Sequence, residues 1–120
     1  MSFAVSDGVS RTLHAALNGL SHRQRVIADD IANVDTPGFR ARSVEFESSL
    51  RKAISDGELT AAERVSSTEA PTLTPIGANG NNVDLRKEMI AAIQTQYSYQ
   101  IVGRAVGDHL GLMRTAAVGQ

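Results

Sequence analysis

The chain reads as an all-α protein in which long N- and C-terminal helices pair as an antiparallel coiled-coil-like hairpin, with a short helix and a long irregular loop between them. Three observations predict this. Leu13, Leu20, Ile27 and Val34 recur every seven residues, with Ala16, Leu17, Gln24 and Ile31 falling between them, which is the seam of a long amphipathic helix. A second apolar row runs through Met89, Ile93, Tyr97 and Ile101, with Leu110 and Met113 on the neighbouring stripe. From about Ser55 to Asn82 the periodicity disappears while Ser, Thr, Pro, Gly and Asn accumulate.

The first helix is expected from about Ser6 or Ser10 to about Val34; about 26 residues at about 1.5 Å each give a rod of roughly 40 Å. Pro37 ends it, because the ring lacks an N–H and pushes Thr36 out of the helical region. Thr36-Pro37-Gly38-Phe39 then reads as a type II turn, with Gly38 supplying the positive φ at the second corner. Val44, Glu47, Leu50 and Ile54 are spaced for a short helix closed by Asp56-Gly57. The next stretch is a surface loop or mobile insertion with one short strand near residues 59–66, and Gly77-Ala-Asn-Gly-Asn-Asn82 offers almost no side chain to pack. Asp84 is placed to cap the last helix, which at roughly 48 Å is the longer of the two. The parts are thus residues 1–42 (axial helix and turn), 43–82 (short helix and variable loop) and 83–120 (second axial helix), within one structural domain.

Both long helices are unusual in what they lack. No charged residue occurs from Met89 to Gly103 or from Thr12 to His22, whereas a solvated helix carries charge on the side away from its core. Neutral polar backs suit burial against neighbouring subunits, where Gln and Ser hydrogen-bond without a charge-desolvation cost. A tolerant neutral surface is the alternative.

Composition narrows the function. The 120 residues carry a net charge of −1 and no cysteine, so there is no basic excess for nucleic acid, no disulfide framework and no thiolate metal site. The N-terminus lacks the basic and apolar regions of a cleaved signal, and no segment reaches membrane-span length. His14, His22 and His109 form no metal-ligand spacing and read as solvated or capping residues. Asp29-Asp30 and the Glu45/Glu47 pair read as solvated or partner-facing charges. No nucleophile elbow or phosphate-binding loop is present, so neither an enzyme, a cofactor nor a small-molecule substrate is expected.

Two motifs carry a family resemblance. Ile31-Ala32-Asn33 followed by Thr36-Pro37-Gly38-Phe39-Arg40-Ala41 resembles the N-terminal signature of the flagellar rod and hook axial proteins. Asn82-Val83-Asp84-Leu85 with Glu88-Met89 one turn later, and Tyr97-x-Tyr99-Gln100 beyond, is similar to the flagellar basal-body rod proteins of the proximal, FlgB type. The sister FlgC type shares the Asn-Val-Asp and Glu-Met elements and is an alternative, as is a freestanding coiled-coil regulator or chaperone. One departure stands out: the family usually has Asn-Asn before Ile-Ala-Asn, where this chain has Asp29-Asp30.

The resemblance implies a non-enzymatic, self-assembling structural subunit of the bacterial flagellar rod, a drive shaft for motility in the periplasm. Implied partners are further copies of itself, FlgC-type rod proteins, the rod adaptor FliE, and export-gate and MS-ring components. It also implies passage through the flagellar type III export apparatus without a cleaved signal peptide. Export-gate recognition in such substrates is attributed to a Phe and an apolar residue four positions on, which Phe46 and Leu50 match; that i, i+4 spacing equally fits ordinary packing.

Overall fold

The computed structural model describes residues 3–56 and 65–119. In chain order the elements are α1 (Phe3–Ala32), β1 (Arg42–Glu45), α2 (Glu47–Ser55), β2 (Thr68–Pro71) and α3 (Leu85–Val118). The molecule is a rod, 66 × 25 × 14 Å along its principal axes. At about 1.5 Å per residue the two long helices measure about 45 and 51 Å, and α1 packs against α3 along the rod.

The chain is mostly helical but not all-α, since β1 and β2 form a two-stranded antiparallel sheet in which Arg42 faces Pro71 and Glu45 faces Thr68. Val44 therefore belongs to a strand and not to the short helix. Its side chain is buried while its neighbours are exposed, the alternation a half-buried strand requires. Helix α2 starts only after Phe46, and the Glu45 carboxylate supplies the acceptor for its first turn by taking the Ser48 N–H at 2.9 Å. The strand expected near residues 59–66 lies largely outside the described residues, as does Gly57; the strand that is described begins at Thr68.

The core is small and sits where four elements converge. Leu20 of α1, Val44 of β1 and Phe46 are buried together, with Val26, Leu50 of α2 and Val102 of α3 packed against them. Arg23 fastens this cluster. Its guanidinium lies 4.9 Å from the centre of the Phe46 ring, forks onto both Glu47 oxygens at 2.9 and 2.5 Å, and donates to the Val44 carbonyl at 2.8 Å. The hydrogen bonds from Arg23 hold the Glu47 carboxyl below the usual carboxylate range.

Gly19 explains how close Phe46 comes to α1: a Cβ at Gly19 would overlap the ring itself. Gly103, Gly107 and Gly111 of α3 have open space where a Cβ would stand. Alanine substitutions are therefore expected to act with opposite sign in thermal melts of the free chain. Gly19→Ala loses about 1–2 kcal/mol as the ring is displaced, while Gly107→Ala gains about 0.5–1 kcal/mol from helix propensity.

Candidate assembly site

Helix α1 ends at Ala32, five residues before Pro37. Asn33 ends it from within, because its backbone N–H and its amide both donate to the Asp29 carbonyl, at 3.1 and 2.8 Å. Pro37 instead shapes the turn that follows. The Phe39 N–H reaches the Thr36 carbonyl at 3.2 Å and Gly38 sits at φ +77°, as a type II turn requires.

The Gly77–Asn82 segment is where the structure differs most from expectation. The sequence predicts a surface loop or mobile insertion here; the structure shows a clamp closed over that turn. Asn81 is buried, and its amide donates to the Asn33 and Thr36 carbonyls at 2.9 and 2.8 Å while its Oδ1 takes the Val83 N–H at 2.8 Å. Asn82, also buried, accepts the Ala41 N–H at 2.6 Å, and its own N–H reaches the Phe39 carbonyl at 3.3 Å. Gly38 donates to the Asn79 carbonyl at 2.9 Å. Two glycines meet at the centre: a Cβ on Gly80, itself at φ +81°, would lie 3.2 Å from the Gly38 Cα. The two sequence motifs, some 45 residues apart, thus form one hydrogen-bonded unit. From it Asp84 opens α3 by accepting the Lys87 N–H at 3.2 Å.

Two expectations about charged and ionisable residues need correction. Asp30 is not a solvated or partner-facing charge; it is 1% exposed and faces the buried Glu88. Asp29 beside it is exposed. His22 is neither solvated nor a cap, since Ser67 Oγ lies 2.6 Å from Nδ1 and Glu69 Oε1 lies 2.9 Å from Nε2. Glu69 also meets Arg42 at 3.2 Å. The hydrogen bond from His22 holds the Glu69 carboxyl below its usual range. This network straps the otherwise exposed strand β2 to α1.

The helix faces divide differently from the expected seams. On α1, Leu20 and Ile27 are buried and Leu13, Leu17 and Ile31 are half-buried, as is Val34 just beyond the helix end. On α3 the expected pairing residues Met89, Ile93, Tyr97 and Ile101 are 53–66% exposed, and Leu110 and Met113 are exposed too. They do not face α1. The inward side of α3 carries buried Glu88 and Thr95, half-buried Ala91 and Ser98, and Val102. These side chains are small or polar, and the Thr95 hydroxyl is satisfied inside its own helix by the Ala91 carbonyl at 2.7 Å. Apolarity alone pointed to the wrong face; residue size was the available signal. Phe46 is buried and Leu50 half-buried, so in the folded chain both are packing residues.

If the clamp organises the turn, Asn82→Ala leaves the Ala41 N–H without its acceptor. The expected cost is about 2 kcal/mol, with hydrogen exchange rising at Ala41 and Phe39 before it rises in the middle of α1.

Comparison with known proteins accounts for both halves of this unit. The family described as "Flagella basal body rod protein" matches residues 11–40, which span much of α1 and the turn. The flagellar basal body rod protein FlgB of Bacillus subtilis is 32% identical over 93% of this chain and 95% of its own length. FlgB of Escherichia coli is 32% identical over 94% and 96%, and that of Borreliella burgdorferi 33% identical over 74% and 80%. The chain belongs to the FlgB family of flagellar basal body rod proteins.

Proposed function

We propose that the chain enters the proximal rod as an antiparallel α1–α3 hairpin, using the outward apolar row of α3 to join neighbouring subunits. Membership of the family makes it a structural subunit of the flagellar basal-body rod and not an enzyme, and the matched relatives favour this over a FlgC-type subunit or a freestanding regulator. The observation that carries the assembly reading is the exposure of Met89, Ile93, Tyr97 and Ile101 on a stretch of helix without charge. Covering one such side chain contributes about 1.5–3 kcal/mol, so a few of them match the needs of a packed tube. The flanking Gln94, Gln96 and Gln100 are exposed as well and hydrogen-bond across an interface without a charge-desolvation cost.

In this reading the clamped turn marks where the chain leaves the axial layer, so that α2 and the sheet lie to one side of the hairpin. Its neighbours are further copies, FlgC-type rod proteins, the adaptor FliE and the MS-ring, with delivery to the periplasm through the flagellar type III apparatus. Phe46 and Leu50 become available to an export gate only while the chain is unfolded, since folding packs them against Leu20. The small core supports a protomer that gains much of its order on assembly.

The test separates assembly from folding. Ile93→Asp with Tyr97→Asp places two charges on the outward row, and the free chain is expected to keep its helical circular dichroism while basal bodies lack rods and cells lose motility. Normal flagellation by this variant would remove the outward row from the mechanism.

A further inference from the structure

Asp30 lies in the last turn of α1 and Glu88 in the first turn of α3, and the two carboxyl groups face each other where these helix ends meet. They are 1% and 8% exposed. An ionised carboxylate has only acceptors, so two facing carboxyl groups hydrogen-bond to each other only when one of them carries a proton. Nothing else nearby neutralises them, because among the described residues neither forms an ion pair. The cations around them are engaged elsewhere or outside the contact. On α1, Arg23 is held by Glu47 and Val44, His22 by Ser67 and Glu69, and Arg25 is exposed. On β1, Arg42 gives Asp30 only its backbone N–H, at 3.3 Å, while its side chain goes to Glu69 of β2. On α3, Arg86 and Lys87 are exposed, and the further charges that act on the pair are negative: Asp29 and Glu69 on Asp30, and Asp84 on Glu88.

We propose that Asp30 and Glu88 share one proton and act as a pH-sensitive latch between the end of α1 and the start of α3. With the proton in place, the pair ties the two helices together beside the Asn81–Asn82 clamp. When both carboxyls ionise, two like charges meet in a buried contact and the first turn of α3 separates from α1. The electrostatics agree in direction. Burial, followed by the charge and hydrogen bond of Asp30, pushes Glu88 from its ordinary 4.5 up to about 7, and burial also raises Asp30. Between those limits the folded chain holds a proton that the unfolded chain has released. The latch is therefore fully stabilising below about 4.5 and is lost as pH rises through about 7.

Asparagine at position 30 would supply a permanent amide donor to Glu88 and remove the titration. The test compares thermal melts of the full chain at pH 5 and pH 8, followed by circular dichroism, for wild type, E88Q and D30N. Wild type is expected to melt on the order of 5–10 °C lower at pH 8, and E88Q and D30N to lose at least half of that difference. A carboxyl-carbon NMR titration of wild type should place the Glu88 midpoint near neutrality. If E88Q does not fold at pH 5, D30N makes the same comparison. Three results overturn the latch: equal wild-type melting at the two pH values, an undiminished fall in the variants that do fold, which would place the effect outside this pair, or an ordinary carboxyl midpoint for Glu88.

Discussion

Everything on one side of the rod depends on two asparagine amides. A chain that leaves a helix, turns sharply and enters a strand exposes backbone carbonyls and N–H groups faster than local structure can pair them. Here Asn81 takes up the Asn33 and Thr36 carbonyls and Asn82 takes up the Ala41 N–H. An amide suits this work because it donates and accepts at once, which neither a carboxylate nor a hydroxyl does with the same reach. The contact also fixes where α3 begins, two residues beyond Asn82 at the Asp84 cap. A local turn is thereby coupled to the docking of a 34-residue helix.

The core works on the same economy of parts. Leu20, Val44 and Phe46 alone do not make a large apolar interior, so directional contacts supplement them. Arg23 joins α1 to both β1 and α2, and His22 one residue earlier joins α1 to β2 through Ser67 and Glu69. The sheet, with β2 exposed along its whole length, is held by these side chains as much as by its own ladder. A missing glycine side chain at position 19 lets the largest buried residue lie directly on the helix.

Much of this was legible in the sequence, and the misses have physical causes. Helix positions, the type II turn and the Asp84 cap follow from local rules, since periodicity, Pro and Gly dihedrals and capping chemistry act within a few residues. Strand β1 was missed because its partner is 23 to 29 residues away, and Val44 also fits a helical spacing with Leu50 and Ile54. The clamp was missed because Asn81 and Asn82 act on a segment more than 40 residues distant; a run of Gly and Asn looks structureless until its acceptors are known. The inward face of α3 was misassigned for a different reason. Periodicity ranks faces by apolarity, but this helix gives its largest apolar side chains to the outside and its Ala, Ser and Thr to its own partner. From sequence alone Asp30 reads as a solvated or partner-facing charge, because a lone carboxylate is costly to bury, and only the position of Glu88 shows how that cost is shared.

The inversion of α3 also bears on how the protein responds to temperature. The heat capacity of unfolding scales with the apolar surface newly exposed to water, and in this subunit a large part of that surface is exposed already. The free chain should accordingly have a shallow stability curve, while a large negative heat-capacity change would attend the joining of subunits through this face. Apolar association weakens on cooling. A rod built through this face would therefore grow by an entropy-driven step that cold slows, even where the individual subunit remains folded.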